Sequence, residues 1–157
     1  YFCRGSGHNE QAQYSERDED YRRNVDRLAR KIEGIREVAP APELHRTEGA
    51  RIGFVACGTS DYAVRESMEQ LREEQGIETS YLRVRAFPFA RAVQEFIHEH
   101  DRVYVVDQNR DGQLLSLLKL DLDPNDVARL RSIRHYGGLP IDARSVTDDL
   151  LKQEAAQ

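Results

Sequence analysis

Residues 78–113 read ETSYLRVRAFPFARAVQEFIHEHDRVYVVDQNRDGQ, and this stretch decides the fold class. It starts with a strand at residues 79–84 and passes through a proline-marked turn into an amphipathic helix. An apolar strand follows at residues 102–106, and a polar Asp-Gln-Asn segment then opens another helix. Alternation of β-branched runs with helical patterns is typical of a parallel sheet covered by helices. The stretch therefore predicts an α/β fold with three layers, an open and mostly parallel sheet with helices on both faces.

The pattern continues on both sides of this stretch. A short apolar run at residues 52–56 predicts another strand, followed by a helix that ends at Gly76. Residues 132–136 predict a fourth, more polar strand near an edge of the sheet. We expect Pro88 to lie in the first turn of a helix, where its missing N–H costs nothing. Further helices are predicted at residues 112–120, 124–130 and 143–154.

The N-terminal third of the chain has a different pattern. Residues 1–15 contain glycine and serine without periodicity and predict an extended arm. Residues 16–38 place apolar side chains at spacings of four, three, four and three, which predicts a helix with charged flanks. Prolines disfavour helix in the residues before them, so residues 39–50 are interpreted as a linker. We predict two domains, an arm with a helix and linker at 1–50 and an α/β domain at 51–157.

Composition limits the classes of function. The chain has 157 residues, of which 39% are apolar and 32% charged, as expected of a soluble globular protein. Its formal net charge of −5 disfavours nucleic-acid binding, because phosphate contacts need a basic face. No apolar run approaches the roughly 18 residues that span a bilayer, and no signal peptide is visible. We therefore expect no nucleic acid, no membrane and a cytoplasmic location.

The cysteines and the methionine add two expectations. Cys3 and Cys57 are the only cysteines and form no CxxC motif, so this chain alone cannot ligate zinc or an iron–sulfur cluster. A disulfide between them stays open, with free thiols as the default. The chain begins at Tyr1 and its single methionine is Met68, so we expect it to be a piece of a longer protein.

The ends of the strands contain the candidate functional residues, because open parallel sheets meet ligands and partners there. Gly58, Thr59 and Ser60 precede a helix and could hold an anion at its N-terminus, although an ordinary N-cap explains the same residues. Arg83 and Arg85 share one face of their strand beside two phenylalanines. That combination suits a protein interface, and it equally suits an edge guarded by charge.

Asp107, Gln108 and Asn109 follow the apolar run Val-Tyr-Val-Val and must project at the end of that strand. Capping of the next helix by Asn109 or Asp111 explains part of this signal. Contact with a partner or with a neighbouring active site is the other interpretation, and the pattern alone leaves both open.

The histidines are interpreted as mostly polar surface. His98 and His100 lie at a helix end rich in acidic residues and are expected to face solvent. His8 is flanked by glycine in a flexible arm and lies near Glu10, which would suit acid–base work near neutral pH. A lone histidine in a loop is usually only polar surface. No catalytic residue and no metal ligand is assigned from the pattern.

Several segments, in the same order, resemble the C-terminal domain of the α subunit of 2-oxoacid:ferredoxin oxidoreductases of the 2-oxoglutarate synthase type. The segments are Arg4-Gly5-Ser6-Gly7-His8-Asn9-Glu10, Tyr81-Leu82-Arg83-Val84-Arg85-Ala86-Phe87-Pro88-Phe89, Val103-Tyr104-Val105-Val106-Asp107-Gln108-Asn109 and Tyr136-Gly137-Gly138-Leu139-Pro140-Ile141. The family more often has Glu at the position of Asp107 and Asp at that of Gly137. The resemblance implies a domain like the C-terminal domain of transketolase.

The resemblance also implies a function for the whole enzyme. It implies oxidative decarboxylation of a 2-oxoacid with coenzyme A as acceptor and ferredoxin as the electron acceptor. Thiamine diphosphate, Mg²⁺ and iron–sulfur clusters would do that chemistry, bound in the β subunit and in α-subunit domains outside this chain. This chain would bind no cofactor itself; it would pack subunits together and shape the edge of the substrate channel. Arg4 and His8, together with the strand-end residues named above, are the candidates for contact with the channel or with another subunit.

Two alternatives stay open from the sequence. One is a small α/β binding or regulatory module that recognises an anion at residues 58–60. The other is the C-terminal domain of a different thiamine diphosphate enzyme, of the transketolase or E1β type.

Overall fold

The computed structural model describes residues 7–156 of the chain. These residues divide into two compact units, the first ending at Ala39 and the second beginning at Pro40. Arg4 and Cys3 lie outside the described residues.

The first unit is dominated by one long helix. Helix α1 spans Asp18–Val38, close to the predicted range. Asp18, Glu19 and Asp20 in its first turn complement the positive end of the helix dipole. The helix ends where the N–H of Ala39 donates to the carbonyl of Ile35, directly before Pro40. Before α1, His8 and Tyr14 form an isolated antiparallel bridge.

The second unit contains a five-stranded sheet in the order β1-β3-β2-β4-β5. The three contacts β2–β3, β2–β4 and β4–β5 are parallel, and only β1 is antiparallel, to β3. The strands are β1 Glu43–His45, β2 Ile52–Cys57, β3 Thr79–Val84, β4 Arg102–Asp107 and β5 Leu130–Arg134. The predicted α/β class with a mostly parallel sheet is confirmed.

Helices cover both faces of this sheet, which confirms the predicted three layers. On one face α2 and α6 bury Phe54, Tyr81 and Tyr104, and on the other α3 and α4 bury Val55 and Leu82. All five side chains are fully buried. The helices of this unit are α2 Ser60–Gln75, α3 Arg91–Glu99, α4 Gln113–Asp121, α5 Pro124–Arg129 and α6 Ala143–Ala155.

Strand β1 corrects the interpretation of residues 39–50 as a linker. Glu43 pairs with Arg83 and Leu44 with Leu82, so this short segment forms one edge of the sheet. A strand of three residues is too short to show an alternating pattern, and the neighbouring prolines suggested a loop instead. The predicted division into domains at residue 50 stays a prediction.

Pro88 also differs from its predicted place. It follows a cis peptide bond with Phe87, and α3 begins three residues later at Arg91. The proline therefore belongs to the connection between β3 and α3. From sequence, a proline in a turn and a proline in a first helical turn look alike, because both positions accept its fixed φ.

His100 is buried, contrary to the expectation that it faces solvent. Its Nδ1 lies 2.7 Å from the carbonyl oxygen of Phe96, and the two rings are in contact. Both rings lie against Gly53 of β2, where an added Cβ would come within 2.9 Å of the Phe96 ring. Glycine at this position therefore lets α3 approach the sheet closely.

Candidate functional site

Strands β2, β3, β4 and β5 are all parallel and end along one side of the sheet, here called the carboxyl edge. The ends of these strands and the residues that directly follow them include the strand-end residues selected from the sequence. They are Gly58, Thr59, Ser60, Arg83, Arg85, Asp107, Gln108 and Asn109. His8 lies in the first unit, exposed, with its Nδ1 2.8 Å from the carbonyl oxygen of Asn9.

Gln108 joins three connections at the carboxyl edge. Its side-chain N–H₂ donates to the hydroxyls of Thr59 and Ser60, at 3.1 and 3.2 Å. Its side-chain oxygen accepts from the backbone N–H of Ile141 at 3.2 Å. The side-chain amide therefore acts as donor and acceptor at the same time. Through these bonds it links the start of α2 and the segment before α6 to the end of β4.

This arrangement bears on the predicted anion site at residues 58–60. Ser60 is buried, and both hydroxyls already accept hydrogen bonds from Gln108. Neither Thr59 nor Ser60 caps α2 with its side chain. An anion at this helix N-terminus would compete with the Gln108 amide for these two hydroxyls, and the anion site stays a prediction.

A charged cluster lies beside this connection, where β1, β3 and α2 meet. Arg83 donates to Glu43 at 3.3 Å and to the carbonyl oxygen of Gly58 at 3.4 Å. Arg65 and Arg85 also approach Glu43, at 3.7 and 3.8 Å. The hydrogen bond to Glu43 raises the pKa of Arg83 above its ordinary value. The guanidinium groups of three arginines thus lie around the Glu43 carboxylate at the edge of the sheet.

Asp61 completes the charged cluster from the first turn of α2. It is buried, and its carboxylate accepts from Arg65 at 3.0 Å and lies 3.9 Å from Arg83. Burial raises the pKa of the Tyr81 hydroxyl beneath it, and the negative charge of Asp61 raises it further. Tyr81 therefore stays protonated at neutral pH and stacks on His45. With two carboxylates against three guanidinium groups, the cluster has an excess positive charge.

Asp107 and Asn109 organise the start of α4. A side-chain oxygen of Asp107 accepts from the backbone N–H of Leu114 at 2.8 Å, and Asn109 accepts from that of Asp111 at 2.8 Å. The capping of this helix by Asn109 or Asp111 was wrong, because the side chain that accepts from a helix N–H is that of Asp107. The sequence pattern missed this because Asp107 is seven residues before its partner.

Cys57 is a free thiol at the end of β2 and is exposed. Partial burial of its sulfur raises the pKa, and the nearby charge of Asp107 raises it further. A thiol with a raised pKa is a poor nucleophile at neutral pH.

Exposed apolar side chains border the same edge. Tyr62 and Leu139 are each 77% exposed, and both line an open groove of about 560 Å³ together with Gln108. Tyr136 and Phe87, in the connections after β5 and β3, are also largely exposed. Aromatic side chains beside arginine are typical of the central part of a protein–protein interface. Sequence reasoning missed Tyr62, at the start of α2, and Leu139, in the connection after β5, since the local pattern gives no sign that either side chain is exposed.

The described part of the chain has neither a ready metal site nor a helix suited to a bilayer. Between residues 7 and 156, no group of three His, Cys, Asp or Glu side chains is placed to hold a metal ion. In the same residues, no helix combines the length and the apolar character that crossing a bilayer requires.

No protein-family model matches the chain. Residues of the chain are 35% identical, over 95 residues, to 2-oxoacid:ferredoxin oxidoreductase 2, subunit alpha, of Aeropyrum pernix. The chain is similar to a 2-oxoacid:ferredoxin oxidoreductase α subunit. That confirms the resemblance found in its motifs. The match covers 57% of this chain, which spans only 15% of the length of this curated relative.

A solved structure supports the fold over almost the whole chain. It is that of a 2-oxoglutarate:ferredoxin oxidoreductase from Magnetococcus marinus with 2-oxoglutarate, coenzyme A and succinyl-CoA bound. The TM-score is 0.82, and the superposition covers 98% of this chain and 26% of that one. At 18% identity, this likeness shows a shared fold.

Proposed function

We propose that this chain is a C-terminal domain of the α subunit of a 2-oxoacid:ferredoxin oxidoreductase. The whole enzyme would decarboxylate a 2-oxoacid oxidatively, transfer the acyl group to coenzyme A and reduce ferredoxin. The observation that carries the proposal is the 35% identity to a curated α subunit. The shared fold with a 2-oxoglutarate:ferredoxin oxidoreductase, over nearly all of the chain, supports it.

Within that enzyme we assign this chain a role in subunit packing and in shaping the edge of the substrate channel. The carboxyl edge supports this role, because it combines exposed aromatics, a positively charged cluster and a groove. Arg85 is half exposed, and Asn109 lies in the connection after β4. We propose that both contact the β subunit, with the remaining α-subunit domains also packed nearby.

We assign thiamine diphosphate, Mg²⁺ and the iron–sulfur clusters to other parts of the enzyme. For the metal ions and clusters, this assignment is in keeping with residues 7–156, which offer no group of side chains with metal-ligating geometry. Coenzyme A and ferredoxin would likewise meet the assembled enzyme. This chain then contributes shape and charge, and the proton and electron transfers take place elsewhere.

An activity assay of the assembled enzyme tests the proposal. The α subunit that contains this sequence would be produced with its candidate β subunit, and ferredoxin reduction would be followed with 2-oxoacid and coenzyme A present. We expect reduction that requires both substrates, and no turnover by the 157-residue chain alone. Calorimetric titration of that isolated chain with thiamine diphosphate should show no binding, and an affinity near about 1 µM would contradict the assignment.

A further inference from the structure

An open pocket of about 370 Å³ lies at the side of the sheet where β2, β3 and β4 begin, here called the amino edge. Its walls are the connection between β1 and β2, the start of β3 and the end of α3, all within the second unit. Two of its lining residues, Ser80 and His100, are buried and polar. Buried polar atoms are expected to have hydrogen-bond partners, so the partners of these two side chains decide what the pocket can bind.

His100 has one ring nitrogen in use and one without a partner. Its Nδ1 lies 2.7 Å from the carbonyl oxygen of Phe96, and a carbonyl oxygen only accepts, so Nδ1 has the hydrogen. In the neutral ring Nε2 is then an acceptor, and none of the residues that the structure describes donates to it. The residue is only 4% exposed, so this acceptor can meet a partner only through the pocket.

The position of this nitrogen is fixed by the packing of the ring. The rings of His100 and Phe96 are in contact, with centroids 4.4 Å apart, and a Cβ at Gly53 would lie 3.3 Å from the His100 ring. Arg129 holds the backbone carbonyl of His100 at 2.6 Å. The bond to Phe96 accounts for one ring nitrogen, and packing gives no reason for the second, whose burial without a partner costs free energy.

The facing wall of the pocket is a tight turn at residues 47–50. Its first and last residues are joined by a backbone hydrogen bond of 3.2 Å, and Gly49 has a φ of 78°, which glycine adopts without strain. The backbone N–H of Thr47 donates to the hydroxyl of Ser80 at 3.1 Å, which fastens the turn to β3. Glu48 is the second residue of this turn and lines the pocket.

The charges that line the pocket leave one carboxylate over. Arg46 is paired with Glu99, so these two charges offset each other. Glu48 has no ion pair or hydrogen bond with any residue that the structure describes. The polar groups without a partner are therefore two acceptors, the Glu48 carboxylate and Nε2 of His100, and one of them is negatively charged. A matching ligand supplies hydrogen-bond donors and a positive charge, as a primary ammonium group does with its three N–H donors.

We propose that this pocket binds a primary ammonium group, with Nε2 of His100 and the carboxylate of Glu48 as its acceptors. A free amine and a lysine side chain both supply that group. This inference is independent of the enzymatic activity proposed above, because it rests on a pocket at the edge of the sheet opposite the carboxyl edge.

The test follows the ring nitrogens of His100 by NMR in the ¹⁵N-labelled full chain. The probes are propylamine, Nα-acetyl-lysine methylamide and, as the uncharged control, Nα-acetyl-norleucine methylamide. We expect both amines to shift the Nε2 resonance saturably, with a dissociation constant of about 1 mM, and the control to bind at least about tenfold more weakly. The ring of His135, whose Nε2 lies 2.8 Å from the carbonyl oxygen of Leu139 near the carboxyl edge, should not respond.

Three variants sharpen the test. Glu48→Gln should weaken the binding of both amines at least about tenfold, because it removes the unpaired charge. Glu78→Gln removes the same charge at an exposed position before β3, outside this pocket, and should leave the affinity unchanged. His100→Phe keeps a ring beside Phe96 and should abolish binding, with circular dichroism to check its fold. The two glutamate variants decide the question even if His100→Phe does not fold.

The relative affinity of the two amines identifies the source of the group. Tighter binding of the lysine derivative supports a polypeptide as the source, and tighter binding of propylamine supports a free amine. The absence of any shift at about 10 mM amine would leave water as the partner of Nε2 and overturn the proposal. An equal response to the norleucine derivative, or equal weakening by Glu48→Gln and Glu78→Gln, would also overturn it.

Discussion

At the scale of single residues, Gln108 is the side chain that organises the carboxyl edge. Replacing it with Ala leaves the hydroxyls of Thr59 and Ser60 and the N–H of Ile141 without this partner. Because water can reach part of this site, we expect a loss of about 1–2 kcal/mol in the free energy of unfolding, measured in urea. Gln94→Ala, at an exposed position of α3, is the matched control and should change stability by less than about 0.5 kcal/mol. An equal effect of the two substitutions would contradict this role.

At two glycines, replacement by alanine is expected to change stability in opposite directions. A Cβ at Gly53 would lie 2.9 Å from the Phe96 ring, whereas one at Gly34 of α1 would meet nothing within 4 Å. Gly53→Ala should therefore destabilise the chain by about 1–3 kcal/mol, because α3 must move away from the sheet. Gly34→Ala should stabilise α1 by about 0.5–1 kcal/mol, since alanine favours helix. Thermal unfolding followed by circular dichroism measures both, and two changes of the same sign would be inconsistent with the packing described.

At the scale of elements, the end of α6 is fastened to the start of β4. Arg102 donates two hydrogen bonds to Glu154, at 2.6 and 2.7 Å, and the hydroxyl of Tyr104 donates a third at 2.5 Å. Burial raises the pKa of Glu154, but the bonds from Arg102 and Tyr104 outweigh it, so the pKa is lowered. The carboxylate form is thus the one that holds the two elements together.

The lowered pKa of Glu154 makes the stability of the fold depend on pH. The contribution of Glu154 is fully present above its unfolded pKa of about 4.3 and is lost as the pH falls through the lower folded value. Glu154→Gln should cost about 1 kcal/mol at pH 7, a figure reduced for partial exposure. The difference from the original chain should shrink as the pH falls below about 4. Urea unfolding across this range measures it, and a difference that grows in acid would contradict the assignment.

The elements also show what the sequence could and could not predict. Strand β3 falls where its pattern predicts, and β4 and β2 differ only at their last residues, because their apolar runs are long and bounded by turn residues. The helices predicted at 124–130 and 143–154 are also present, and the side chains of Asp123 and Asp142 cap them as α5 and α6. Strand β1 and the cis bond before Pro88 escaped prediction. Both depend on pairing and packing with distant residues, which a local pattern does not contain.

The same limit applies to the candidate site. Position at or just after the end of a strand was enough to select Gln108 and Arg83, because parallel strands bring their ends to one edge. The partners that fix these side chains were not foreseeable. Glu43 belongs to β1, a segment that was interpreted from the sequence as part of a linker. The Ile141 N–H lies 33 residues beyond Gln108 along the chain. Local patterns identify which residues project at the edge, and the fold decides what each contacts.

At the scale of the whole molecule, the second unit is a sheet whose chemistry-bearing residues are engaged in structural contacts. Asp107 caps α4, Gln108 joins three connections, and Asp61 is paired with arginine. What remains available at the carboxyl edge is a groove with Tyr62 and Leu139 exposed, beside positive charge. These features suit an interface more than a self-contained active site, as the proposed role in an α subunit requires.

The most direct test of the central claim is the association of this chain with the candidate β subunit, measured by co-purification and by the dissociation constant. The account predicts a complex that Arg85→Glu, at the carboxyl edge, weakens at least about tenfold, or 1.4 kcal/mol. Arg51→Glu is the control, since Arg51 is also an exposed arginine paired with one carboxylate, but it precedes β2 at the opposite edge. It should leave the complex intact. No association of the unaltered chain, or equal weakening by both substitutions, would contradict the account.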